Sequence, residues 1–368
     1  MKTLATFAAV LLLAATPASA APPLYLLTPL GLVSTPQICE GQHATPAGLG
    51  INNAGSVTGT YCVQNGTPQG EIRGFLWTPQ GGAVDLGLPP GVTDPTTIVT
   101  PFGINARGQI VGELITSSVH DAFVWDSGRF TIIAAGQAHA INDPGQITGE
   151  VDSPVMQAFL FSHRAVRHLG VDAAGATDSR AFAINDLGHI AGVADIPVPG
   201  PASVSIVPIL WTGTAWRVLG KPPTGDDYAL ATSINSFDEI VGEAFSNNTP
   251  AMHAFLWKHG VYTVLPCLPA RYCLANSIND ARVIVGGEVI WFGGQPYDLN
   301  TLIDPKDPLH GHVSSISGQT INANGEILGG GIYTSGPYSG RREIFVLSPE
   351  AQAAPGTERA RSARSTRK

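Results

Sequence analysis

The chain has 368 residues with 13% charged side chains, 43 Gly and 29 Pro, where about 25% charged is usual. That balance argues against long solvated helices and suits short strands joined by tight turns. Residues 21–350 hold 14 Lys and Arg against 27 Asp and Glu, a net of −13; so acidic a body repels phosphate backbones, which excludes nucleic acid as its partner.

Residues 1–20 read as a secretory signal peptide. Lys2 supplies the positive end, Leu4 to Ala15 the apolar run, and Ala18-Ser19-Ala20 the cleavage site, so the mature chain is expected to start at Ala21. The apolar run is too short to span a bilayer, and no later segment approaches eighteen apolar residues. The expected address is extracellular or periplasmic, with no membrane span. Cys39, Cys62, Cys267 and Cys273 form an even set, as an oxidising compartment allows. Three pairings are open; Cys39 with Cys62 and Cys267 with Cys273 is preferred, because each pair lies within or around one repeat. No C-x-x-C knuckle supports a four-thiolate metal site.

The mature N-terminus opens with Tyr25-Leu26-Leu27-Thr28-Pro29-Leu30-Gly31, a short strand ending in Leu-Gly. From there one signature recurs: Ile-Asn, two variable residues, usually Gly, then two β-formers and a second Gly. It begins at Ile51, Ile104, Ile141, Ile184, Ile234, Ile278 and Ile321, at spacings of 53, 37, 43, 50, 44 and 43 residues. A period near 45 with strand composition belongs to propeller blades. Each repeat parses into four strands: one entering Ile-Asn, one at the Gly-flanked pair, an aromatic strand such as Ala122-Phe123-Val124-Trp125, and one ending in Leu-Gly. The seventh repeat supplies only three before Phe345-Val346-Leu347. The N-terminal strand is therefore expected to complete it, giving an all-β, seven-bladed propeller of four-stranded blades over residues 21–350. Residues 351–368, Ala-rich and then basic, are expected to be a disordered tail.

Asn52, Asn105, Asn142, Asn185, Asn235, Asn279 and Asn322 open the turn between the first two strands. Each is expected to bond local backbone in an Asx-type arrangement, with the Gly three residues on taking positive φ. Asp238 and Arg282 stand where that Gly belongs in repeats five and six. Asp tolerates the left-handed region and Arg does so poorly, so repeat six is expected to have an altered turn.

These repeats resemble the HAF family of probable extracellular repeat proteins, named for a His-Ala-Phe triplet. It stands intact at His253-Ala254-Phe255, loosened at His120-Asp121-Ala122-Phe123, and reduced to Gln157-Ala158-Phe159. The triplet is absent at Arg73-Gly74-Phe75, Glu288-Val289-Ile290 and Arg342-Glu343-Ile344. The resemblance implies an exported bacterial protein and a β-propeller, and implies no reaction.

No H-E-x-x-H, Walker loop or G-x-S-x-G elbow occurs, so no catalytic residue is assigned and an enzyme is not expected. Glu113, Glu150 and Glu243 recur after the second strand's Gly, and Asp143, Asp186 and Asp280 in the turns just before. On a closed ring these positions fall on circles, which makes them candidate ligands for calcium; the other reading is solvated strand ends. Trp77, Trp125, Trp211, Trp257 and Trp291 fit inter-blade core better than a sugar platform. The expected function is a binding or scaffold module for an envelope or extracellular partner. Its alternatives are a propeller lyase or glycosidase, with a site on the inserts at 88–101, 193–208 and 304–317, or a purely structural surface protein. Any site should lie where the copies differ.

Overall fold

The computed structural model describes residues 21–32, 49–63, 71–94, 96–152, 155–170, 175–198, 204–247, 251–269 and 271–350. Residues 1–20, where a signal peptide is expected, Cys39, the side chain of Cys62 and residues 351–368 lie outside that description.

The described chain is a β-propeller, interrupted only by a short 3-10 turn at Leu299–Thr301. Repeat one contributes Gly50–Ile51, Val57–Val63, Glu71–Thr78 and Gly82–Asp85, hydrogen-bonded in that order. Repeats four, five and six build the same antiparallel sheet from Asp178–Ile184, Tyr228–Ile234 and Ser277–Ile278 onward. Repeat seven runs Val313–Ile321, Ile327–Tyr333, Arg342–Pro349, and its fourth strand is the N-terminal Tyr25–Pro29, as the stray Leu-Gly pattern predicts. Pro29 falls on this edge strand, where a missing N–H costs no ladder bond.

Seven separate four-stranded sheets were expected, and five are found. Repeats two and three form one seven-stranded sheet, because Arg129–Ile141 is both the last strand of one and the first strand of the next. Only 37 residues separate these two signatures, the shortest spacing in the chain. That leaves no residues for a connecting loop, so the strand runs through.

Seven apolar clusters hold the ring, each at a junction between consecutive repeats. Leu86 of repeat one packs with Val99, Ile110 and Trp125 of repeat two. The circle closes where Leu30, Leu328, Ile344 and Val346 meet Val57, Phe75 and Trp77 of repeat one. Period-2 alternation produces this, since Phe75 and Trp77 share one face of their strand. All five Trp named above are buried here, and Trp125 and Trp291 donate Nε1–H across the junction to the carbonyls of Leu86 at 3.2 Å and Pro266 at 2.7 Å. They are core, not platform.

The second Gly of the signature has its own reason. A Cβ on Gly112, Gly149, Gly192, Gly242, Gly286 or Gly329 would overlap a main-chain carbonyl oxygen of the strand before it. At most of these places the ladder also shifts register. Backbone cannot retreat as a side-chain tip can. Gly149→Ala is therefore expected to cost about 3 kcal/mol, read by urea unfolding.

Candidate functional site

Two regions on the ring axis concentrate polar chemistry. One is the mouth built by the Ile-Asn turns. In repeat one, Asn52 Oδ1 accepts the N–H groups of Ala54 and Ser56 at 3.0 and 2.9 Å, the local bonding that was expected. The other half of the amide does something the sequence did not announce. Each Asn Nδ2 donates to the main-chain carbonyl of the Asn in the next repeat, at 2.9–3.3 Å. The seventh bond, Asn322 to Asn52, spans 270 residues and closes the circle. All seven Asn are buried, and their amides satisfy one another's neighbours in place of water.

The turn Gly takes φ of 74–90° in five repeats, and Asp238 and Arg282 take 58° and 59°. The altered turn expected in repeat six is not found. Arg282 N–H reaches the Asn279 carbonyl at 3.0 Å and Asn279 N–H reaches Val283 at 3.1 Å, as in the other copies. The cost of a left-handed Arg, about 1–2 kcal/mol, is offset because its guanidinium Nε contacts both oxygens of Glu239 at 2.7 and 2.8 Å.

Glu239 is itself fully buried, with Lys258 Nζ at 2.7 Å. Burial pushes its carboxyl up, but Arg282, Lys258 and Asn235 together outweigh that and hold it at about 2. The unfolded chain then binds this proton more readily than the folded one. The resulting stability is fully present above the ordinary Glu value and is lost as pH falls toward 2. Glu239→Gln should thus be less stable than the parent at pH 7 by about 1–3 kcal/mol and match it by pH 2, measured by chemical denaturation.

The mouth encloses about 230 Å³ between the seven Ile side chains, the Asn ring and the turn tips. Its carboxylates are engaged in stitching turns together. Asp143 Oδ1 accepts from Ala106 N–H at 2.7 Å, Asp186 from Asp143 N–H at 2.9 Å, and Asp280 from Ser236 N–H at 2.9 Å. Glu113, Glu150 and Glu243 lie elsewhere, four residues or about 13 Å further along each second strand. Glu113 faces His120 Nε2 at 2.9 Å, Glu150 faces His139 Nε2 at 2.6 Å, and burial raises the carboxyl of Glu243. Among the described residues no three His, Cys, Asp or Glu are grouped to hold a metal ion. Asp143, Asp186 and Asp280 line the one mouth but are each committed to a main-chain N–H, and the three Glu stand apart from it.

His120 also meets Asp152 of repeat three at 2.8 Å through Nδ1, so both ring nitrogens face carboxylates. Burial lowers its pKa, yet Glu113 and Asp152 prevail and raise it. His139 stands between the rings of Phe102 and Phe182, at 5.4 and 5.3 Å. These three occupy one register position, two residues before Ile-Asn. The same position holds Thr232, Asn276 and Gln319 in repeats five to seven. The axial wall is therefore aromatic on one side and polar on the other.

On the polar side a second cavity, of about 310 Å³, is lined by Leu49, Glu288, Ser315, Ser317, Gln319, Gly330, Gly331, Ile332, Arg342 and Glu343. At its wall repeat seven has Gly330, where repeats two to five have Glu113, Glu150, Val193 and Glu243. Gly112 and Gly329 pair with Phe123 and Phe345 respectively, which aligns Gly330-Gly331 with Glu113-Leu114. A Cβ at Gly330 would meet nothing nearer than 3.6 Å. Ser315 sits at φ 52° in an irregular stretch between Ser314 and Ser317; strain of that kind concentrates at functional sites.

Glu343 is 2% exposed. Its Oε1 accepts the N–H groups of Leu32 and Ile344, both at 3.0 Å, while Oε2 has no partner among the described residues. Burial pushes the carboxyl up to about 7 against the two backbone donors. Glu288 pairs with Arg271, whose other nitrogen holds Asp298 at 2.8 Å. Arg271 lies inside the loop closed by the Cys267–Cys273 disulfide, the pairing expected from position. The bridge thus fixes the cation that neutralises Glu288, besides contributing about 2 kcal/mol by closing a short loop.

The inserts nominated as functional make mainly structural bonds, although Ser315 and Ser317 of 304–317 line the cavity. In 304–317, Asp304 N–H bonds the Tyr25 carbonyl at 3.0 Å and Asp307 accepts Leu27 N–H at 2.7 Å, clamping the N-terminal strand. The insert at 193–208 mainly lengthens the hairpin strands His189–Pro197 and Val204–Thr212. In 88–101, Asp94 takes N–H groups of Thr96 and Ser117, both at 2.9 Å. Glu343, Gly330 and Glu288 were not singled out from sequence. The signal available was Arg342-Glu343-Ile344, an acidic residue in a strand that is otherwise buried, opposite a run of three Gly.

No family model matches the chain, and no curated protein matches it. Among solved structures it is similar to an oligogalacturonate lyase in complex with manganese, at 10% identity and TM-score 0.50, over 90% of this chain and 97% of that one. A puromycin hydrolase is similar at 13% identity and TM-score 0.46, over 86% and 54% of the two chains. TolB from Acinetobacter baumannii is similar at 10% identity and TM-score 0.42, over 68% of this chain, which spans 64% of TolB. At such identities the likeness concerns the fold alone, and the class it defines is the β-propeller. No helix among the described residues is long and apolar enough to cross a membrane.

Proposed function

We propose that this chain is an exported binding propeller that takes a small polar ligand, or one residue of a polymer, in the cavity of repeat seven. The observation that carries the reading is the unpartnered, buried oxygen of Glu343, a residue in the lining of a cavity that Gly330 leaves open. A buried acceptor without a donor costs stability, about 1–3 kcal/mol for a neutral group and more for a charge. A ligand that supplies the donor recovers that cost. The signal sequence at 1–20, the resemblance to HAF repeats and the Cys267–Cys273 disulfide support export.

A carbohydrate-active enzyme is the second reading, favoured by two carboxylates, Glu288 and Glu343, on one cavity. Against it, Glu288 is held by Arg271, and no His or Tyr joins them in the lining. A thermal-shift screen of glycans and small metabolites against the purified protein and Gly330→Leu separates the readings. Binding predicts ligands that raise the melting temperature of the parent only, with no turnover of the same compounds. Hits that stabilise Gly330→Leu equally would place binding elsewhere.

A further inference from the structure

The geometry points to a hydroxylated primary amine, an amino sugar with a free amino group, as the ligand of the Glu343 cavity. This rests on the binding reading above and adds the chemical class.

When Glu343 is ionised its free oxygen can only accept, and its neighbour oxygen already takes two N–H donors. A neutral hydroxyl would satisfy it as a hydrogen-bond donor. An ammonium would do that and also neutralise a carboxylate that no protein cation neutralises. The charged groups around it are few. Arg342 precedes it on the same strand and also lines the cavity, but it is exposed at the rim and makes no ion pair with Glu343. Tyr333, on the neighbouring strand, has its phenol raised by burial and by Glu343, and so carries no positive charge. From repeat six comes Glu288, whose cation Arg271 is shared with Asp298. The first strand of repeat seven and the segments at Leu32 and Leu49 bring nothing charged into the lining. Glu288, Asp298 and Glu343 are met by two cations, Arg271 and Arg342, so the cavity and its rim are short of positive charge by about one unit when Glu343 ionises.

The rest of the lining selects for hydroxyls. Ser315, Ser317 and Gln319 come from one strand at intervals of two, and each both donates and accepts. About 310 Å³ is at the small end of ligand sites, the size of one sugar ring rather than a chain of them. No aromatic side chain lines the cavity, so affinity has to come from polar contacts and charge.

An ammonium binds the ionised form of Glu343. Because burial holds this carboxyl near 7, binding below that pH expels its proton to solvent. Calorimetry with glucosamine, N-acetylglucosamine and glucose at pH 5.5 and 6.5, in buffers of different ionisation enthalpy, tests this. Glucosamine is expected to bind about eightfold more tightly at pH 6.5 and to release a proton. Glucose and N-acetylglucosamine should bind at least about tenfold more weakly. Glu343→Gln, isosteric and able to keep both backbone bonds, should lose glucosamine while melting no lower than the parent at pH 5.5. Equal binding of glucose, tighter glucosamine binding at the lower pH, or no glucosamine binding by the parent overturns the amine assignment. If, in addition, other ligands bind the parent and Gly330→Leu alike, the cavity reading falls with it.

Discussion

Asn142→Asp should destabilise the protein by about 3–5 kcal/mol at pH 7, the largest effect expected of any single-atom change in this chain. The variant keeps Oδ1, which accepts Gln146 N–H at 2.7 Å. It replaces the Nδ2 donor with an oxygen. That oxygen would face the Asn185 carbonyl, now 3.0 Å from Nδ2, and the Gln146 Oε1, now 2.8 Å away, in a site 4% exposed. Gln146 can turn its amide to help, but the main-chain carbonyl cannot turn. A buried carboxylate then lacks one partner, and the ring of seven bonds opens. Asn142→Ala removes the same bonds without adding charge and should cost only about 2 kcal/mol. The two variants separate by pH. Lowering it to 4 protonates part of the Asp, restores a donor and recovers part of the loss, while the Ala variant does not respond in this way. Urea unfolding at the two pH values reads both effects. An Asp variant no worse than the Ala variant at pH 7 would mean that the Asn amides do not hold the ring.

Glu343→Gln should have the opposite sign and stabilise the protein at pH 8. The folded carboxyl titrates near 7 and the unfolded one near the ordinary 4.5, because burial disfavours the charge. Between those values the folded state holds a proton that the unfolded state has lost, so stability falls as pH rises from 4.5 to 7 and is flat beyond. The full loss amounts to about 3 kcal/mol. Gln cannot ionise and escapes it. The variant should match the parent at pH 4.5 and melt about 5 °C higher at pH 8. A site that sacrifices stability at neutral pH is what a binding function accounts for and a purely structural blade does not.

Much of the architecture was legible because each repeat states it locally. The Asn and Gly of the turn, the alternating Phe-x-Trp strand, the Leu-Gly ending and the unpaired Tyr25–Gly31 strand each specify a neighbour a few residues away, or a gap to be filled. The features that were not legible all depend on a second repeat. The Asn Nδ2 bond needs the next turn in place, 37 to 53 residues on. The left-handed Arg282 is tolerable only because Glu239, 43 residues earlier, waits for its guanidinium. The fused sheet of repeats two and three was hinted at by the short spacing alone. The carboxylates nominated for calcium were legible as a repeat but their partners were not: Glu113 meets His120, and Asp143 meets Ala106 N–H of the preceding turn. Of the inserts, 304–317 reaches the cavity through Ser315 and Ser317. Repeat seven differs by omission, in Gly330 and Gly331, and by Glu343 where the triplet pattern places His253 or Asp121.

The ionisation of Glu343 is the property on which the proposed site most directly depends. Carbon NMR of the protein labelled at Glu side-chain carboxyls, titrated from pH 4 to 9 beside Glu343→Gln, isolates that resonance by its disappearance in the variant. The prediction is a single missing carboxyl whose midpoint in the parent lies near 7 and moves down when glucosamine is added. A Glu343 midpoint at or below the ordinary 4.5 would show that the carboxyl is already solvated or paired, and would contradict the site.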